Sequence, residues 1–522
     1  MSGALDRQLD WRFLLPATSA PLETLRIISD DPTISQRILD IGLSTSVVTG
    51  GFDLVDAAVV LTGRPHDVID AVQKVRPGGV FYGEIEPTGA HAIRWSPANL
   101  CRSLTRAGAD DPAVYWRRRR HGANVLFLPL DVPGALPWYL REAMDDRAAT
   151  RRQAHRLLLR FLRGNGRWFA SIARRYAVVG TIRSPVHEAS ARDATPALLG
   201  EATEDKLRPV LLARGGGCWS RVVLLAFGPA DTKPRSVTKA ARRPHHNHAT
   251  EREQRTLVQL HEKLPPGLAV TVPVALGVRR WSGLSVGTEG FLSGRPLAVV
   301  ASGPTSAPTL RAAVNWLIEF GLAGRQSDVV ADSTAGAHML DDPLRRCVRL
   351  FDLHDGETTD EVVEHHSSAL AGSCAIPLVW QHGDLTPRNM RWNGRQHAVV
   401  DWEAARVGPA LSDLFYLLLH WNWPGQPSFD QAPQIAFSRV FGFDEGDAAR
   451  EAAEHVITYA AALRIDQRLF EPLLLNMLTQ QALDRADRVQ ACGVDPANDA
   501  NLYAELIPLM LRGTPILRSV LR

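Results

Sequence analysis

The sequence is poor in cysteine, and it lacks the arrangements in which cysteine usually supports structure or chemistry. Its five cysteines are odd in number, widely scattered and never in a CxxC pair. Such a set is neither a disulfide framework nor a zinc site, and it is typical of a reducing compartment. We therefore expect a cytoplasmic protein.

Long apolar runs are also absent. The most apolar stretches are interrupted by arginine before the roughly 20 residues that span a bilayer, and the N-terminal residues contain no apolar core of a signal peptide. The net charge of +3 is small for 522 residues, which gives no reason to expect nucleic acid or a membrane surface as the main partner. The length predicts two to four domains, and the oligomeric state is left open.

Lysine is scarce as well, since only five of the 59 lysines and arginines are lysines. In a chain that otherwise uses arginine, a lysine that remains points to a position whose chemistry needs an amine. Lys239 is the most informative of the five because it lies in SVTKAA, a short run that predicts a strand.

What is present begins with an alternating pattern over residues 24 to about 130. Strands are predicted over 24–29, 55–61, 80–85, 113–118 and 124–130, helices over 34–42, 66–75 and 97–108, and a turn over 76–79. Strands and helices in alternation predict a doubly wound, Rossmann-like α/β domain over residues 1–135.

Residues 136–205 are expected to form an Arg-rich helical linker. In RRQAHRLLLRFLRG the apolar residues fall on one face of a helix and the arginines on the other. We favour a helix that docks on a neighbouring domain over the alternative, a helix that lies on a membrane surface. The polar residues 183–205 predict a domain boundary.

From residue 206 the pattern changes to antiparallel strands followed by helices. PVLLAR and SRVVLLAF flank three glycines and predict strand, turn and strand, and SVTKAA predicts a third strand. A helix is predicted over 249–264. The rest of the chain is mostly helical except around residues 379–402, so we expect an α+β domain.

The strongest chemical signal is the stretch QHGDLTPRN. Asp384 and Asn389 are five residues apart, the separation of Asp and Asn in the catalytic loop of protein kinases. Phosphoryl transfer needs a carboxylate beside the attacking hydroxyl and an oxygen ligand for the magnesium ion that bridges the phosphates. A strand, an Asn-Gly turn of type I′ and a return strand follow, and the hairpin brings Asp401 next to the loop.

HGDLTPRN and VVDWE resemble the catalytic and metal-binding motifs of the aminoglycoside phosphotransferase and choline kinase family, which covers about residues 206–522. The resemblance implies a two-lobed, protein-kinase-like fold, with an N-lobe over 206–300 and a helical C-lobe over 301–522. It implies Asp384 as the catalytic base, Asn389 and Asp401 as Mg²⁺ ligands, and ATP or GTP as co-substrate. GPALSDLFYLL resembles the next helix of the family, where Asp413 would have a supporting, structural role.

The same resemblance implies how the N-lobe holds the nucleotide. Gly215, Gly216 and Gly217 lie between two predicted strands and could cover the phosphates with backbone N–H groups. A plain hairpin turn is the equally open alternative. The segment TEGFLSGRPL, residues 288–297, resembles the crossing between lobes, where backbone groups would meet the adenine.

Lys239 lies on the third predicted strand, where a kinase has its phosphate-pairing lysine. Glu253 is its expected partner, because Arg252, Glu253, Leu257 and Leu260 match the family pattern R-E-x-x-x-L-x-x-L. The neighbouring Glu251 is a rival for the same place.

The N-terminal domain resembles the second half of a class I methyltransferase, through FDLVDAAVVL, VRPGGVFYGEI and the late strands. That family binds S-adenosylmethionine with a Gly-rich loop after its first strand. The nearest candidate, ILDIG at 38–42, is not followed by G-x-G, and only about ten residues then remain before FDLV, too few for another strand and helix. We therefore expect a degenerate methyltransferase-like domain without methylation activity.

Two basic clusters are expected to be solvated. His245, His246 and His248 lack a cysteine or an acid at metal-binding spacing. The run Arg117–Arg120 at a strand end favours an exposed face over an anion site.

The sequence thus predicts a small-molecule kinase, which transfers the γ-phosphate of a nucleoside triphosphate to a hydroxyl of an amino alcohol, sugar or aminoglycoside. Two alternatives are a pseudokinase module that binds nucleotide or substrate, and methyl transfer by the N-terminal domain. The presence of Lys239, Asp384, Asn389 and Asp401 argues against the first, and the missing glycine loop argues against the second. No motif identifies the acceptor.

Overall fold

The computed structural model describes residues 7–17, 22–50, 54–87, 94–120, 123–143, 173–184, 196–199, 206–213, 219–301, 305–331, 334–353, 374–442 and 446–511. The chain divides into two compact units. The first consists of Met1–Gln254 with Ala275–Phe291, and the second consists of Arg255–Val274 with Leu292–Arg522.

The first unit is built on one mixed β-sheet. Its described strands are β1 Thr24–Ile28, β2 Ser46–Val48, β3 Val55–Gly63, β4 Val75–Ile85, β5 Ala109–Arg120, β6 Ala123–Pro129, β7 Tyr176–Ile182, β8 Arg208–Leu212, β9 Arg221–Phe227, β10 Ser236–Ala241, β11 Ala275–Trp281 and β12 Leu284–Gly290. Their order in the sheet is β11-β12-β10-β9-β8-β6-β5-β7-β4-β3-β1-β2. The pairs among β1 to β4 are parallel, and the remaining pairs are antiparallel.

Helices cover both faces of the parallel strands, as the alternating sequence predicted. They are α1 Thr33–Asp40, α2 Pro65–Val72 and α3 Pro97–Arg106. Ile34 and Ile38 of α1 join the core on one face, whereas Val68 of α2 and Leu100 of α3 join the core on the other. Because β3 is buried on both faces of the sheet, its sequence is a nearly continuous apolar run.

The sheet continues across residue 205. β6 pairs with β8 through Leu126↔Leu212 and Phe127↔Leu211, and a single core cluster reaches from Leu25 in β1 to Val286 in β12. The structure therefore does not confirm a separate Rossmann-like domain over residues 1–135. The structure has instead a large sheet whose first strands are parallel.

Several local features differ from the sequence-based prediction. β7 lies inside the range expected to be a helical linker, and its residues are all buried between β4 and β5. The expected turn at 76–79 is part of β4, which shifts register there. A short strand, β2, forms in the stretch that was expected to be too short for a strand and a helix together, and its described residues, 43–50, contain no helix. Most of the Arg-rich helix, residues 144–172, lies outside the described residues.

The 3₁₀ segment Arg7–Leu14 is anchored by a buried ion pair. Arg242, the first residue after β10, donates from Nε to Asp10 Oδ1 at 2.9 Å and from Nη2 to Asp10 Oδ2 at 2.8 Å. Both side chains are fully buried. Arg12 adds a hydrogen bond from Nη2 to the Arg242 carbonyl at 2.8 Å. The pair ties the N-terminal segment to a position three residues after Lys239.

The second unit is mostly helical. After α4 Asn247–Lys263, which begins in the first unit, it contains α5 Ser306–Ala323, α6 Thr334–Phe351, α7 Ser412–Leu419, α8 Pro433–Phe441, α9 Asp447–Leu463, α10 Phe470–Gln490 and α11 Ile507–Leu511. Two small sheets have the orders β13-β16-β17 and β14-β15-β18. Their strands are β13 Arg295–Pro296, β14 Arg325–Val330, β15 Ala375–Gln381, β16 Met390–Trp392, β17 His397–Val399 and β18 Arg406–Pro409. α7 packs against α10, which positions the loops described below.

Among the described residues, no helix combines the length and apolarity needed to cross a bilayer. Cys101, Cys347 and Cys374 are free thiols, whereas Cys492 is disulfide-bonded, which the scattered cysteine spacing did not predict.

Candidate active site

The loop after β15 is folded around a buried carboxylate. β15 is almost entirely buried and delivers His382 and Gly383 to the N-terminus of α7. There the backbone N–H of His382 donates to Asp413 Oδ2 at 2.6 Å, and that of Gly383 donates to Oδ1 at 3.0 Å. Burial raises the pKa of Asp413, while these two hydrogen bonds oppose the rise. The expected supporting role of Asp413 therefore has a specific form, which is to hold the backbone of the loop.

Gly383 is required by the close approach of two backbone segments. Its φ is +79°, and a Cβ added there would collide with the Ala404 carbonyl. On its other side, Gln481 of α10 donates from Nε2 to the Gly383 carbonyl at 2.7 Å. The position before Asp384 is thus fixed from three directions.

His382 is a structural residue and does not face outward as a reactive group. Its ring is fully buried and lies 4.7 Å from the ring of Trp402. Nδ1 accepts the backbone N–H of Asp384 at 3.3 Å, and Nε2 lies 3.0 Å from the Val400 carbonyl. Because Nδ1 accepts and Nε2 must donate, the geometry assigns the neutral tautomer protonated at Nε2.

Asp384 is half-buried, and both its carboxylate oxygens are oriented. Tyr416 donates its hydroxyl to Oδ1 at 3.0 Å. Asn389 donates from Nδ2 to Oδ2 at 3.2 Å and to the Asp384 carbonyl at 2.8 Å. Burial raises the pKa of Asp384; Asp401 adds to the rise, and Arg488 and Tyr416 oppose it. A carboxylate held in this way can orient a hydroxyl and accept its proton.

Asn389 and Asp401 present oxygen atoms close to this carboxylate. Since the amide nitrogen of Asn389 is turned toward Asp384, its Oδ1 is the atom left to meet a cation. Asp401 follows β17 with a φ of +75°, a left-handed conformation that Asp tolerates better than most residues.

The connection between β16 and β17 is a longer loop over 393–396, where Asn393 Oδ1 accepts from the N–H of Arg395 and Gln396. The expected two-residue turn is therefore wrong, but the position of Asp401 at the end of the hairpin is the expected one.

A chain of hydrogen bonds behind Asp384 was not foreseen. The hydroxyls of Tyr416 and Tyr503 lie 2.9 Å apart, and His420 Nε2 lies 3.1 Å from the Tyr503 hydroxyl. Since Tyr416 donates to Asp384, Tyr503 must donate to Tyr416, and His420 must donate to Tyr503. Tyr416 is three residues after Asp413 on α7 and could have been found by helical spacing. No local signal marked Tyr503.

In the first unit, Lys239 lies in a buried cluster of charges. Its Nζ is 2.7 Å from Glu253 Oε1 and 3.0 Å from Glu289 Oε1, and Arg221 also pairs with Glu253. The rival Glu251 is elsewhere, bonded to Ser285 Oγ and Arg280. The structure therefore places Lys239 with Glu253 and adds Glu289, which lies in the 288–297 segment but was not singled out.

Glu289 is an unusual member of this cluster. It is almost completely buried, its Oε2 has no hydrogen-bond partner, and burial raises its pKa to about 7 even though Lys239 opposes the rise. The folded state therefore holds the proton of Glu289 more tightly than the unfolded chain does.

Glu289 should consequently make stability depend on pH. Because its pKa is raised from 4.5 to about 7, its stabilising contribution is complete below the lower value and is lost as the pH rises through the higher one. Between about pH 5 and about pH 8, we expect wild type to lose ~1–3 kcal/mol relative to Glu289→Gln. Urea denaturation of both proteins measures this difference. Glu262→Gln, at an exposed position, is the control, and parallel curves for wild type and Glu289→Gln would contradict the assignment.

Other predicted positions have mixed outcomes. Gly215, Gly216 and Gly217 lie outside the described residues. His245 and His248 are exposed as expected, but His246 is buried, and burial lowers its pKa to about 4.

Arg117 is not solvated either: it is buried, with Nη1 2.5 Å from Glu84 and Nη2 2.6 Å from Glu86. Strand alternation turns it into the core, where two carboxylates compensate its charge. Among the described residues, no group of three or more His, Cys, Asp or Glu side chains is arranged to hold a metal ion.

Comparison with known proteins gives a family match to the second half of the chain. Residues 210–452 match the model of the phosphotransferase enzyme family. That range contains Lys239, Glu253, Asp384, Asn389 and Asp401. No curated protein matches the chain significantly.

Solved structures that resemble the chain include three kinases. An aminoglycoside phosphotransferase from Streptomyces rimosus, in complex with ADP and streptomycin, is 15% identical over 54% of this chain and 96% of its own, with a TM-score of 0.33. A glucosamine kinase in complex with glucosamine, ADP and inorganic phosphate is 16% identical over 59% and 79%, with a TM-score of 0.32. A choline kinase from Cryptosporidium parvum is 11% identical over 60% and 90%, with a TM-score of 0.36.

Proposed function

We propose that the protein transfers the γ-phosphate of ATP or GTP to a hydroxyl group of a small molecule, on the premise that residues 210–452 match the model of the phosphotransferase enzyme family. The observation that carries the proposal is the arrangement of Asp384 and Asn389, which hydrogen-bond each other, with Asp401 at the end of the adjoining hairpin. The family match covers all three residues. The amino alcohol, sugar and aminoglycoside classes remain candidates for the acceptor.

Asp384 is the proposed catalytic base. Its Oδ1 is held by Tyr416, so Oδ2, with only a long hydrogen bond from Asn389, is the oxygen that can accept a proton. The acceptor hydroxyl oxygen forms a bond to the γ-phosphorus, the bond from that phosphorus to the bridging oxygen breaks, and the hydroxyl proton moves to Asp384. In phosphoryl transfer, orientation of the nucleophile and charge compensation supply most of the catalysis.

Asn389 and Asp401 are the proposed magnesium ligands. An amide oxygen and a carboxylate are hard donors of the kind that Mg²⁺ takes together with water and phosphate oxygens. The residues fit such an ion, because Asp401 adds to the raised pKa of Asp384. A cation held by Asn389 and Asp401 would relieve the repulsion between the two carboxylates. The ion, when bound, would compensate the charge of the β- and γ-phosphates.

Lys239 is the proposed partner of the nucleotide phosphates, and Glu253 positions it. Glu253 itself is shared with Arg221. Glu289 competes for the same amine, so phosphate binding at Lys239 would weaken the contact with Glu289.

The experiment that tests the proposal is a transfer assay with the full chain. Protein, magnesium and γ-labelled ATP or GTP are incubated with a panel of amino alcohols, sugars and aminoglycosides. Label that moves to one acceptor class, and does so only with magnesium present, supports the proposal. Binding of nucleotide without transfer or hydrolysis would favour the pseudokinase alternative.

We propose no methyl transfer for the N-terminal strands. Residues 38–40, the expected counterpart of a glycine-loop strand, are helical, and the loop that follows β1 reads Ser29-Asp30-Asp31-Pro32 without a glycine. A side chain there occupies the space that lets a backbone approach a cofactor. Equilibrium dialysis of the full chain with labelled S-adenosylmethionine should show no saturable binding. Binding with a micromolar dissociation constant, about −8 kcal/mol, would show a second active site.

A further inference from the structure

We propose that the guanidinium of Arg488 forms a subsite beside Asp384 that binds an anionic oxygen group. The inference rests on the proposed function and narrows its chemistry. The anion has two possible sources, the phosphoryl group in transfer or a carboxylate or phosphate carried by the acceptor.

The position of Arg488 follows from the way α10 is fixed. Gln481 of α10 donates to the Gly383 carbonyl, so this face of the helix lies against the catalytic loop. Arg488 comes seven residues later, which is two turns on the same face and about 10 Å along the axis. Helical side chains lean toward the N-terminus of their helix, so that of Arg488 extends back toward the loop.

The electrostatic surroundings agree with this position. Arg488 is half-buried, and although burial lowers its pKa, Glu403, Asp384 and Asp484 raise it and outweigh that effect. Arg488 in turn favours the charged form of Asp384. The two side chains are therefore close enough to interact, although no hydrogen bond joins them.

Arg488 differs from the other arginines around the site in having no partner among the described residues. Nη1 of Arg406 lies 2.6 Å from Asp484, Nε of Arg485 lies 2.8 Å from Asp499, and Nη2 of Arg388 lies 3.5 Å from Asp430. Within the described ranges, Arg488 makes neither a hydrogen bond nor an ion pair. Of the acids that act on Arg488, Asp484 is paired with Arg406, and Asp384 is bonded to Tyr416 and Asn389.

An arginine in this condition is suited to a ligand. A guanidinium has five N–H donors in a planar fork, and without a partner in the described part of the chain those of Arg488 are available to a ligand. Carboxylate and phosphate groups match the fork with two parallel, charge-assisted hydrogen bonds. An anionic oxygen group beside Asp384 would satisfy these donors, whereas a polycationic acceptor would be repelled by the same charge.

The two sources of the anion predict different kinetics. If Arg488 binds the phosphoryl group, it stabilises charge on the transferring oxygens, and its loss lowers turnover even for transfer to water. If Arg488 binds an anionic group of the acceptor, its loss leaves the rate of transfer to water unchanged and weakens only the binding of the acceptor.

The test compares Arg488→Gln with Arg485→Gln, a matched control that removes the same charge from the same helix. Calorimetry with inorganic phosphate, in the absence of nucleotide, is the first measurement. We expect wild type and Arg485→Gln to bind phosphate, Arg488→Gln to bind it at least about tenfold more weakly, and Arg488→Lys to be intermediate because it keeps the charge without the fork. Thermal unfolding of each variant checks folding.

Hydrolysis of Mg-ATP without acceptor then separates the two sources. A loss of about 10³-fold in Arg488→Gln assigns the subsite to the phosphoryl group, and an unchanged rate assigns it to the acceptor. Phosphate binding that is absent from wild type, or equal in Arg488→Gln and wild type, overturns the proposal. Failure of the proposed function is distinguishable, because wild type would then transfer no label from ATP or GTP to any acceptor or to water, whatever the phosphate result.

Discussion

Asp384→Asn is expected to lower turnover by about 10²–10⁴-fold, the usual contribution of a positioned general base. Asparagine preserves the shape of the side chain and an oxygen that can accept from Tyr416, but it cannot take the proton of the acceptor hydroxyl. The affinity for Mg-nucleotide should stay close to that of wild type, because the proposed nucleotide contacts are made by Lys239, Asn389 and Asp401. Steady-state kinetics and calorimetry on the same preparation measure both quantities.

Asp447→Asn is the control for this prediction, because it makes the same chemical change at a side chain that is 97% exposed. Its kinetics should match wild type. If Asp384→Asn kept more than about half of the wild-type activity, a base contributing 10²-fold or more could not be at this position.

Asp10→Ala is expected to destabilise the protein by about 3–5 kcal/mol, because it leaves the charge of Arg242 buried without its carboxylate. The pair is bidentate, and both side chains are fully buried. Urea denaturation followed by fluorescence measures the loss. Arg280→Ala, which breaks the more exposed pair with Glu251, is the control and should cost about 0–1 kcal/mol.

A double variant separates charge burial from packing. Replacing both partners, as in Asp10→Leu with Arg242→Met, should recover much of the loss, since a buried ion pair often contributes little more than apolar residues of similar volume. A loss below about 1 kcal/mol in Asp10→Ala would show that Arg242 is not held as described. It would also remove the link between residues 7–14 and the strand that carries Lys239.

The features that the sequence predicted are those with local causes. The proposed catalytic loop follows a buried apolar strand, and spacing alone predicts that Asp384 lies near Asn389. SVTKAA forms β10 with the predicted bounds, because its neighbours are marked by turn residues. The family pattern R-E-x-x-x-L-x-x-L singled out Glu253, and not Glu251, as the partner of Lys239, and the structure pairs the two.

The features that the sequence did not predict depend on contacts between distant residues. β7 inserts between β4 and β5 from beyond an Arg-rich stretch, and such an order leaves no periodic signal. Glu289 and Tyr503 became recognisable only when their partners, Lys239 and Tyr416, were placed beside them. The buried position of Arg117 likewise depends on Glu84, which is 33 residues away. A run of arginines by itself predicts exposure.

The most direct test of the central claim is calorimetric titration of the folded, full-length protein with ATP and with GTP, each with magnesium and with a chelator. We expect saturable binding of at least one nucleotide that depends on magnesium, is weakened in Asp401→Asn and Lys239→Ala, and is retained in Asp384→Asn. Absence of binding of both nucleotides to folded wild-type protein with magnesium present would contradict it.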